Sequence, residues 1–293
     1  MSNIYVGISG WTYGGWRGKF YPPKLPHREE LSFASHELPS IEINGTFYAL
    51  QRPSSYSRWY DATPAKFIFS VKANRYITHV KKLNDVEIPI ANFLATGLLN
   101  LEEKLGPILW QFPPSMGCDP ERFKRFLELL PQSTFEASQL AKKNTLSKER
   151  SSFHVEKNRK LRHAVEIRHP SFLNPEFIKL LKDHNVALVF ADTAGKWPYM
   201  EDVTANFLYL RLHGDSQLYV SGYDDPSLDF WSKRISLWSQ GQEPKDRLTL
   251  TDEKTPAKER DVFVYFDNDA KVRAPVDAKS LMQKLSVAQE LLH

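Results

Sequence analysis

Eight short apolar segments alternate with amphipathic ones along this chain of 293 residues, and this alternation constrains its fold most strongly. Enrichment in Val, Ile, Phe and Tyr predicts that the eight are β-strands. Helical patterns between them indicate a parallel α/β protein, and eight strands is the number that closes a (β/α)₈ barrel. We therefore predict one TIM-type barrel domain over residues 1–293, with strands at 4–11, 40–44, 66–73, 107–112, 163–168, 187–192, 207–214 and 261–267.

The predicted helices differ in the clarity of their patterns. Several begin with Asp or Asn followed by Pro, which is a helix-start signal. The segment at 53–64 is short and the segment at 195–205 is irregular. An open doubly wound sheet is the competing architecture, but no GxGxxG motif follows any strand. The clearest helical patterns lie at 90–106, 119–130, 174–184, 225–241 and 277–292.

Composition excludes several classes of protein. A chain with 41% hydrophobic and 25% charged residues is ordinary for a globular protein. The single cysteine, Cys118, excludes an internal disulfide framework and fits a reducing compartment. We see no signal peptide and no apolar stretch long enough to cross a bilayer. We therefore expect a cytoplasmic protein that has no membrane partner.

The basic charge is concentrated in one segment. Residues 142–162 contain eight Lys or Arg and two Glu, a net charge of +6, so the rest of the chain sums to −2. The segment lacks clear apolar periodicity, which predicts a solvated insertion or mobile loop. The alternative is an arm that follows phosphates and binds nucleic acid in a salt-dependent manner. We assign 132–162 and 242–260 as insertions on the barrel.

Strand periodicity predicts which side chains face the barrel interior. In the strand LYLRLHG at 208–214, three leucines alternate with Tyr209, Arg211 and His213. Because the more apolar face of a barrel strand packs under helices, we expect the polar face to point inward. Applied to every strand, the same rule places these polar side chains at the interior near the C-terminal strand ends: Trp11, Glu42, Asn44, Lys72, Gln111, Glu166, Arg168, Asp192, Arg211, His213 and Asp267.

This polar group predicts a ligand site. Barrel enzymes build their active sites at the C-terminal ends of several strands. A core selected only for stability would use apolar side chains, because buried charge pairs give no advantage over apolar packing. For any single member of the group, a structural role is as well supported as a role in ligand binding. A salt bridge that only fills the interior, such as a pair between Glu166 and Arg211, is one example.

Seven motifs resemble those of a known family. In chain order they are GISGWTYGGWRGKFYPP, EINGTFYALQRPSSYSRW, FSVKANRYITH, GPILWQFPP, VEIRHPSF, YLRLHG and VYFDND. They are similar to successive motifs of the YecE-like family, catalogued as domain of unknown function 72, over almost the whole chain. The resemblance implies a TIM-type barrel, in agreement with the strand count, and it implies no particular reaction. The segments 142–162 and 242–260 are longer than a compact member of that family needs.

The charge pattern favours acid–base chemistry on a small substrate that carries phosphate or carboxylate. Lys72, Arg168 and Arg211 are predicted to hold the anion. Trp11, Asn44 and Gln111 are further predicted ligand contacts. The predicted catalytic groups, available for proton transfer, are Glu42, Glu166, Asp192, His213 and Asp267.

Two other functions stay open. A divalent metal held by some of the same carboxylates and His213 would suit a metal-dependent hydrolase or isomerase-like barrel. Against a metal, no HxH or HExxH motif occurs, and three cations nearby would repel it. A non-catalytic protein that binds nucleic acid through 142–162 is the second alternative. No nucleotide-cofactor or phosphate-loop motif occurs, so the cofactor is unknown.

Overall fold

The computed structural model describes residues 2–253 and 255–286. Its eight strands are parallel and follow one another around a closed barrel, in which β8 pairs with β1. The predicted (β/α)₈ fold is therefore confirmed. The strands are β1 Ile4–Ser9, β2 Ser40–Ile43, β3 Ile68–Lys72, β4 Leu105–Gln111, β5 His163–Glu166, β6 Ala187–Asp192, β7 Phe207–Leu212 and β8 Asp261–Phe266.

Helices connect the strands, and three of the five clearest helical patterns begin within one residue of the predicted start, whereas the pattern at 90–106 divides into an α-helix that ends at Ala95 and a 3₁₀ helix, Leu98–Lys104. The side chains of Asp119, Asn174 and Asp224 each accept a hydrogen bond from a backbone N–H in the first turn, and Pro follows each cap within two residues. The α-helices of the described residues are α1 Glu30–Glu37, α2 Gly45–Tyr48, α3 Pro53–Asp61, α4 Glu87–Ala95, α5 Pro120–Leu129, α6 Thr134–Ala141, α7 Pro175–Asp183, α8 Asp225–Ser239 and α9 Arg273–Lys284.

Of the two segments with weak helical patterns, one forms a helix and the other does not. The short pattern at 53–64 forms α3, whereas 195–205 contains no helix, as its irregular pattern indicates. The helix predicted at 277–292 corresponds to α9, and residues 287–292 lie outside the described residues. In the described part of the chain, no helix combines the length and the apolar character that crossing a membrane requires.

Aromatic side chains fill the barrel interior below the C-terminal strand ends. The rings of Tyr5 and Phe263 stack with centroids 5.0 Å apart, and those of Tyr209 and Tyr265 are 5.2 Å apart. The Tyr265 hydroxyl lies 2.7 Å from the Ser70 hydroxyl. Because this part of the interior is solidly packed, as in other TIM barrels, the charged side chains gather above it, toward the C-terminal strand ends.

The predicted orientation of β7 is observed. Leu208, Leu210 and Leu212 belong to the core between the barrel and its helices. Tyr209 lies in the interior core, and Arg211 is fully buried among interior carboxylates. The sequence periodicity is therefore sufficient to orient this strand.

The predicted orientation of β6 is wrong. Val189 and Ala191 lie in the interior core, and Phe190 packs on Trp238 of α8 with ring centroids 5.0 Å apart. Ala191 pairs in register with Arg211 of β7, whose large side chain fills the interior beside it. Because the interior is close-packed there, β6 contributes its small side chains inward and its large ones to the helices.

The basic segment 142–162 exposes most of its residues to solvent, as predicted, and a few of its apolar side chains anchor it to the barrel. Leu146, Phe153 and Val155 pack against the outer core. The backbone N–H of Ser152 donates to the carbonyl of Ala95 at 2.7 Å. Deletion of this segment would therefore remove contacts with the core.

Several cations of this segment are paired with acidic side chains along its course. Lys143 lies 2.6 Å from Glu87, and Arg162 lies 2.6 Å from Asp261 at the start of β8. Glu87 begins α4, which runs antiparallel to the strands, whereas Asp261 lies at the opposite end of the barrel. These two basic residues are therefore spread along the barrel side and do not form one patch at the C-terminal ends.

The segment 242–260 is irregular over its described residues, and residue 254 lies outside them. Two buried carboxylates bind its backbone. Leu248 N–H donates to Glu201 at 3.0 Å, and Leu250 N–H donates to Asp202 at 2.8 Å. These contacts fix the segment beside the stretch that connects β6 to β7. Its assignment as an insertion stays a prediction.

Candidate functional site

Arg211 lies at the centre of the charged layer and is fully buried. Its Nη1 lies 2.7 Å from Glu166 Oε2. Its Nη2 lies 2.8 Å from Glu42 Oε1 and 2.8 Å from Asp267 Oδ2. The remaining donors face Glu42 Oε2 at 3.1 Å and His213 Nε2 at 3.4 Å. A guanidinium has five N–H groups: four of them face carboxylate oxygens, and the fifth faces His213 Nε2, which accepts it when the imidazole proton lies on Nδ1.

Two of the carboxylates around Arg211, those of Glu166 and Asp267, are ionised at neutral pH. Burial opposes ionisation of Glu166, but the guanidiniums of Arg168 and Arg211 outweigh it and hold the pKa of Glu166 well below its usual range. Burial acts in the same direction on Asp267, but the charge of Arg211 and a hydrogen bond from the His213 side chain lower its pKa to about 2. Because an effective general base has a pKa near the working pH, these two carboxylates are weak proton acceptors.

His213 is enclosed in this network. Its side chain is fully buried, its Nδ1 lies 3.1 Å from Asp267 Oδ2, and its Nε2 lies 4.0 Å from Glu166 Oε2. The Tyr219 ring meets the His213 ring edge to face, with centroids 5.3 Å apart. His213 therefore lies next to the carboxylates, as predicted, and packs against the Tyr219 ring.

Lys72, the last residue of β3, differs from the other cations. Its Nζ lies 4.4 Å from the centre of the Phe47 ring. Among the described residues no carboxylate lies within ion-pair distance of this amine. Burial lowers the pKa of Lys72 and the nearby charge of Arg211 lowers it further, whereas Glu166 opposes both effects, so that the pKa falls to about 8.

Arg168 forms the edge of the site. Its Nε donates to Glu166 Oε1 at 2.8 Å, and its Nη2 donates to the Tyr219 hydroxyl at 3.2 Å. The guanidinium carbon lies 3.7 Å from the centre of the Trp197 ring. Within the described part of the chain, Nη1 has no hydrogen-bond partner. Arg168 is therefore held from three sides and still has donors to offer.

Solvent access separates the network into two parts. The side chains of Glu42, Glu166, Arg211 and His213 are completely buried. The side chains of Arg168 and Asp267 are 11% and 16% exposed, and residue Lys72 is 8% exposed. A ligand that enters from solvent would meet these last three groups first.

Two predicted site residues lie away from the network. The Asp192 carboxylate accepts a hydrogen bond from the Tyr223 hydroxyl at 2.9 Å, because β6 turns this side chain to the opposite face from the one predicted. Trp11 packs edge to face on Trp59 of α3, with centroids 5.6 Å apart, as part of the outer core. Gly10 precedes it with a φ of +84°, and this turn ends the strand alternation on which the prediction rests.

Two other predicted contacts lie at the ends of their strands. Asn44 follows β2, and its buried Oδ1 has no hydrogen-bond partner among the described residues. Gln111 ends β4, and its Nε2 lies 3.4 Å from the Nε2 of His79.

His79 is a site residue that the sequence analysis missed. It lies on a π-helical turn, Tyr76–Val80, after β3. Burial lowers the pKa of His79 to about 4, and the charges of Lys72 and Arg168 add to this effect, so the imidazole is neutral. Strand periodicity says nothing about a loop residue, and no local signal identifies a π-helical turn in advance. Trp197 and Tyr219 were missed for the same reason.

The same acidic and histidine side chains were also predicted as possible metal ligands. In residues 2–253 and 255–286, no three His, Cys, Asp or Glu side chains are arranged to hold a metal ion. The carboxylates that converge here are Glu42, Glu166 and Asp267, and each bonds to Arg211.

Comparisons with known proteins concern the fold and the family. The family described as "Protein of unknown function DUF72" matches residues 5–292. The chain is 32% identical over 127 residues to UPF0759 protein YunF of Bacillus subtilis (strain 168) and 28% identical over 129 residues to UPF0759 protein YecE of Escherichia coli (strain K12). These alignments cover 40% and 44% of this chain and only 43% and 44% of the two relatives.

Solved structures agree over almost the full length. A DUF72 family protein (TM1631) from Thermotoga maritima superposes with a TM-score of 0.72 at 23% identity, covering 97% of this chain and 99% of that one. Another, EF0366 from Enterococcus faecalis, gives a TM-score of 0.69 at 19% identity, covering 97% and 96%. At such identities the likeness concerns the barrel fold alone. Since the family match extends over nearly the whole sequence, the chain belongs to the DUF72 family, as its YecE-like motifs indicate.

Proposed function

We propose that this protein is an enzyme whose active site is the charged layer at the C-terminal ends of the strands. In this proposal Lys72 transfers protons to and from a small substrate that carries a phosphate or carboxylate. The observation that carries it is the buried Lys72 amine, which lacks an ion-pair partner among the described residues and lies beside a network of paired charges. An amine whose pKa is about 8 exchanges between its two forms near neutral pH, which general acid–base catalysis needs.

The buried part of the network supports this chemistry without contacting the substrate. Four N–H groups of Arg211 bond to carboxylates and the fifth faces His213, and Glu42 and Glu166 are closed to solvent. Such an arrangement fixes the electrostatic field around Lys72, because the groups that create the field cannot reorient. We therefore assign Arg211 and Glu42 as positioning residues.

The substrate anion is assigned to Arg168. Its Nη1 is unbonded among the described residues, and Trp197 and Glu166 fix the orientation of the guanidinium. Arginine binds phosphate and carboxylate through such fixed, paired donors. The predicted clamp of three cations is thereby reduced to two, Lys72 and Arg168, because Arg211 has no donor left for a ligand.

The test follows solvent deuterium into substrates. The protein is incubated in D₂O with a panel of small phosphorylated compounds and 2-oxo acids, and incorporation is measured by NMR. We expect incorporation into at least one compound with the wild-type protein and its loss in Lys72→Met. The variant Lys233→Met, at an exposed position of α8, is the matched control and should exchange like wild type. Equal exchange with Lys72→Met, or none with any compound, would contradict the proposal.

A further inference from the structure

We propose that Lys72 also acts as a nucleophile, forming a Schiff base with the carbonyl carbon of a small aldehyde or ketone that carries an anionic group. This inference rests on the proposed function, because both require a ligand at Lys72. It adds a covalent step and a substrate class.

The position of the amine suits this step. A lysine held in a salt bridge must break that contact before its nitrogen can attack a carbon. Lys72 Nζ faces the Phe47 ring and has no ion-pair partner in the described part of the chain. The residue is 8% exposed, which restricts water and still leaves a route from solvent. A desolvated lysine next to another cation is the setting in which lysine becomes a nucleophile.

The chemistry balances without a further reactant. The neutral amine adds to the carbonyl carbon, an N–C bond forms, and the carbonyl oxygen takes up a proton. The resulting carbinolamine then loses water, whose two hydrogens correspond to the two of the amine, and a C=N bond forms. Protonation gives an iminium ion, and addition of water reverses the sequence and returns the free lysine. No oxidant or reductant is consumed.

The surrounding charges favour the iminium ion and orient the ligand. Glu166 and Asp267 remain ionised at neutral pH, and their negative charges stabilise a positive iminium nitrogen. Arg168, which bonds to Glu166, offers Nη1 to the anionic group. A ligand with a carbonyl and an anionic group close together can use both cations. A 2-oxo acid has this arrangement.

Borohydride trapping tests the inference. The protein is incubated with pyruvate, reduced with sodium borohydride, digested and analysed by peptide mass spectrometry. Hydride adds to the iminium carbon and converts a Schiff base into a stable secondary amine. We expect the adduct on Lys72, at least tenfold above any other lysine, and its absence in Lys72→Met. The control Lys233→Met should keep the Lys72 adduct. Absence of the adduct, or equal labelling of exposed lysines, would overturn the inference.

A second variant, together with the deuterium-exchange experiment, distinguishes failure of the Schiff-base inference from failure of the proposed function. In Arg168→Gln, which removes the proposed anion contact, we expect the yield of the Lys72 adduct at limiting pyruvate to fall by at least tenfold and to recover at high pyruvate. If deuterium exchange requires Lys72 but no adduct is trapped, Lys72 is an acid–base group only and the inference fails alone. If exchange does not require Lys72, both proposals fail.

Discussion

The Arg211→Met variant is expected to unfold with a free energy about 3–5 kcal/mol lower than that of wild type at pH 7. Arg211 contacts the carboxylates of Glu42, Glu166 and Asp267 at 2.7–2.8 Å, and two of these three are fully closed to solvent. Methionine replaces the apolar stem of the side chain but leaves the three carboxylates without their common partner. Urea unfolding followed by circular dichroism measures the loss. A change below about 1 kcal/mol would contradict the assignment.

The comparison variant for this prediction is Lys179→Met. Lys179 also contacts a carboxylate, Asp183, at 2.8 Å, but both side chains are more than half exposed. Exposed pairs contribute at most about 1 kcal/mol, so this variant should unfold like wild type. The pair of variants therefore separates burial of the charges from their proximity.

Acid should reduce the difference between Arg211→Met and wild type. The folded pKa of Asp267 is depressed to about 2, and that of Glu166 is depressed as well. A depressed carboxyl pKa contributes stability above the unfolded pKa of about 4, and this contribution is lost as the pH falls through the folded pKa. We expect the two unfolding free energies to converge between about pH 4 and pH 2.

The Lys72→Met variant is expected to be more stable than wild type by about 3 kcal/mol at pH 7. The folded pKa of Lys72 is about 8, below its ordinary value of 10.5. The folded state therefore holds the proton less tightly than the unfolded state, which costs stability at all pH values below about 8. As pH rises from about 8 to about 10.5 this cost disappears, so the advantage of methionine should vanish above that range.

A second buried lysine supplies the control. Lys104 is 4% exposed, and its Nζ donates to the carbonyls of Tyr60 and Thr63 at 2.6 and 2.8 Å. Lys104→Met would leave these acceptors unpaired and should destabilise the protein by about 1–3 kcal/mol. Thermal and urea unfolding of the two variants should therefore move in opposite directions. Destabilisation by Lys72→Met would show that the amine has a structural partner after all.

A stabilising substitution at Lys72 has a functional meaning. A buried, unpaired amine destabilises the folded protein. Destabilising features of this kind are found at active sites, where function requires them. Lys104 shows that this fold can bury a lysine with its hydrogen bonds satisfied. The contrast between the two lysines supports the proposal that Lys72 serves chemistry.

Strand periodicity was sufficient to predict most of the buried network. Glu42, Glu166 and Arg211 alternate with apolar residues on strands whose outer faces are plainly more apolar, so their inward orientation follows from sequence. On β6 both faces are apolar, and the choice depends on the volume of Arg211 on the neighbouring strand, which periodicity cannot supply. Asp192 was misplaced for this reason.

Other parts of the site could not be predicted from the sequence because they depend on the backbone outside the strands and on interatomic distances. The left-handed Gly10 redirects Trp11, and a π-helical turn carries His79 to the site, and both are backbone effects outside the strands. Sequence likewise could not show that Arg211 uses all its donors whereas Arg168 keeps some, because that depends on interatomic distances. The distribution of roles among the three cations therefore required the structure.

The central claim is that Lys72 has an amine that titrates near neutral pH, and NMR titration of the lysine side chains tests it most directly. The protein is labelled by reductive ¹³C-methylation, and the Lys72 resonance is assigned by its absence in Lys72→Met. We expect this resonance to titrate at about pH 8, well below the exposed lysines. Titration together with the exposed lysines, near the ordinary value of about 10.4, would contradict the account.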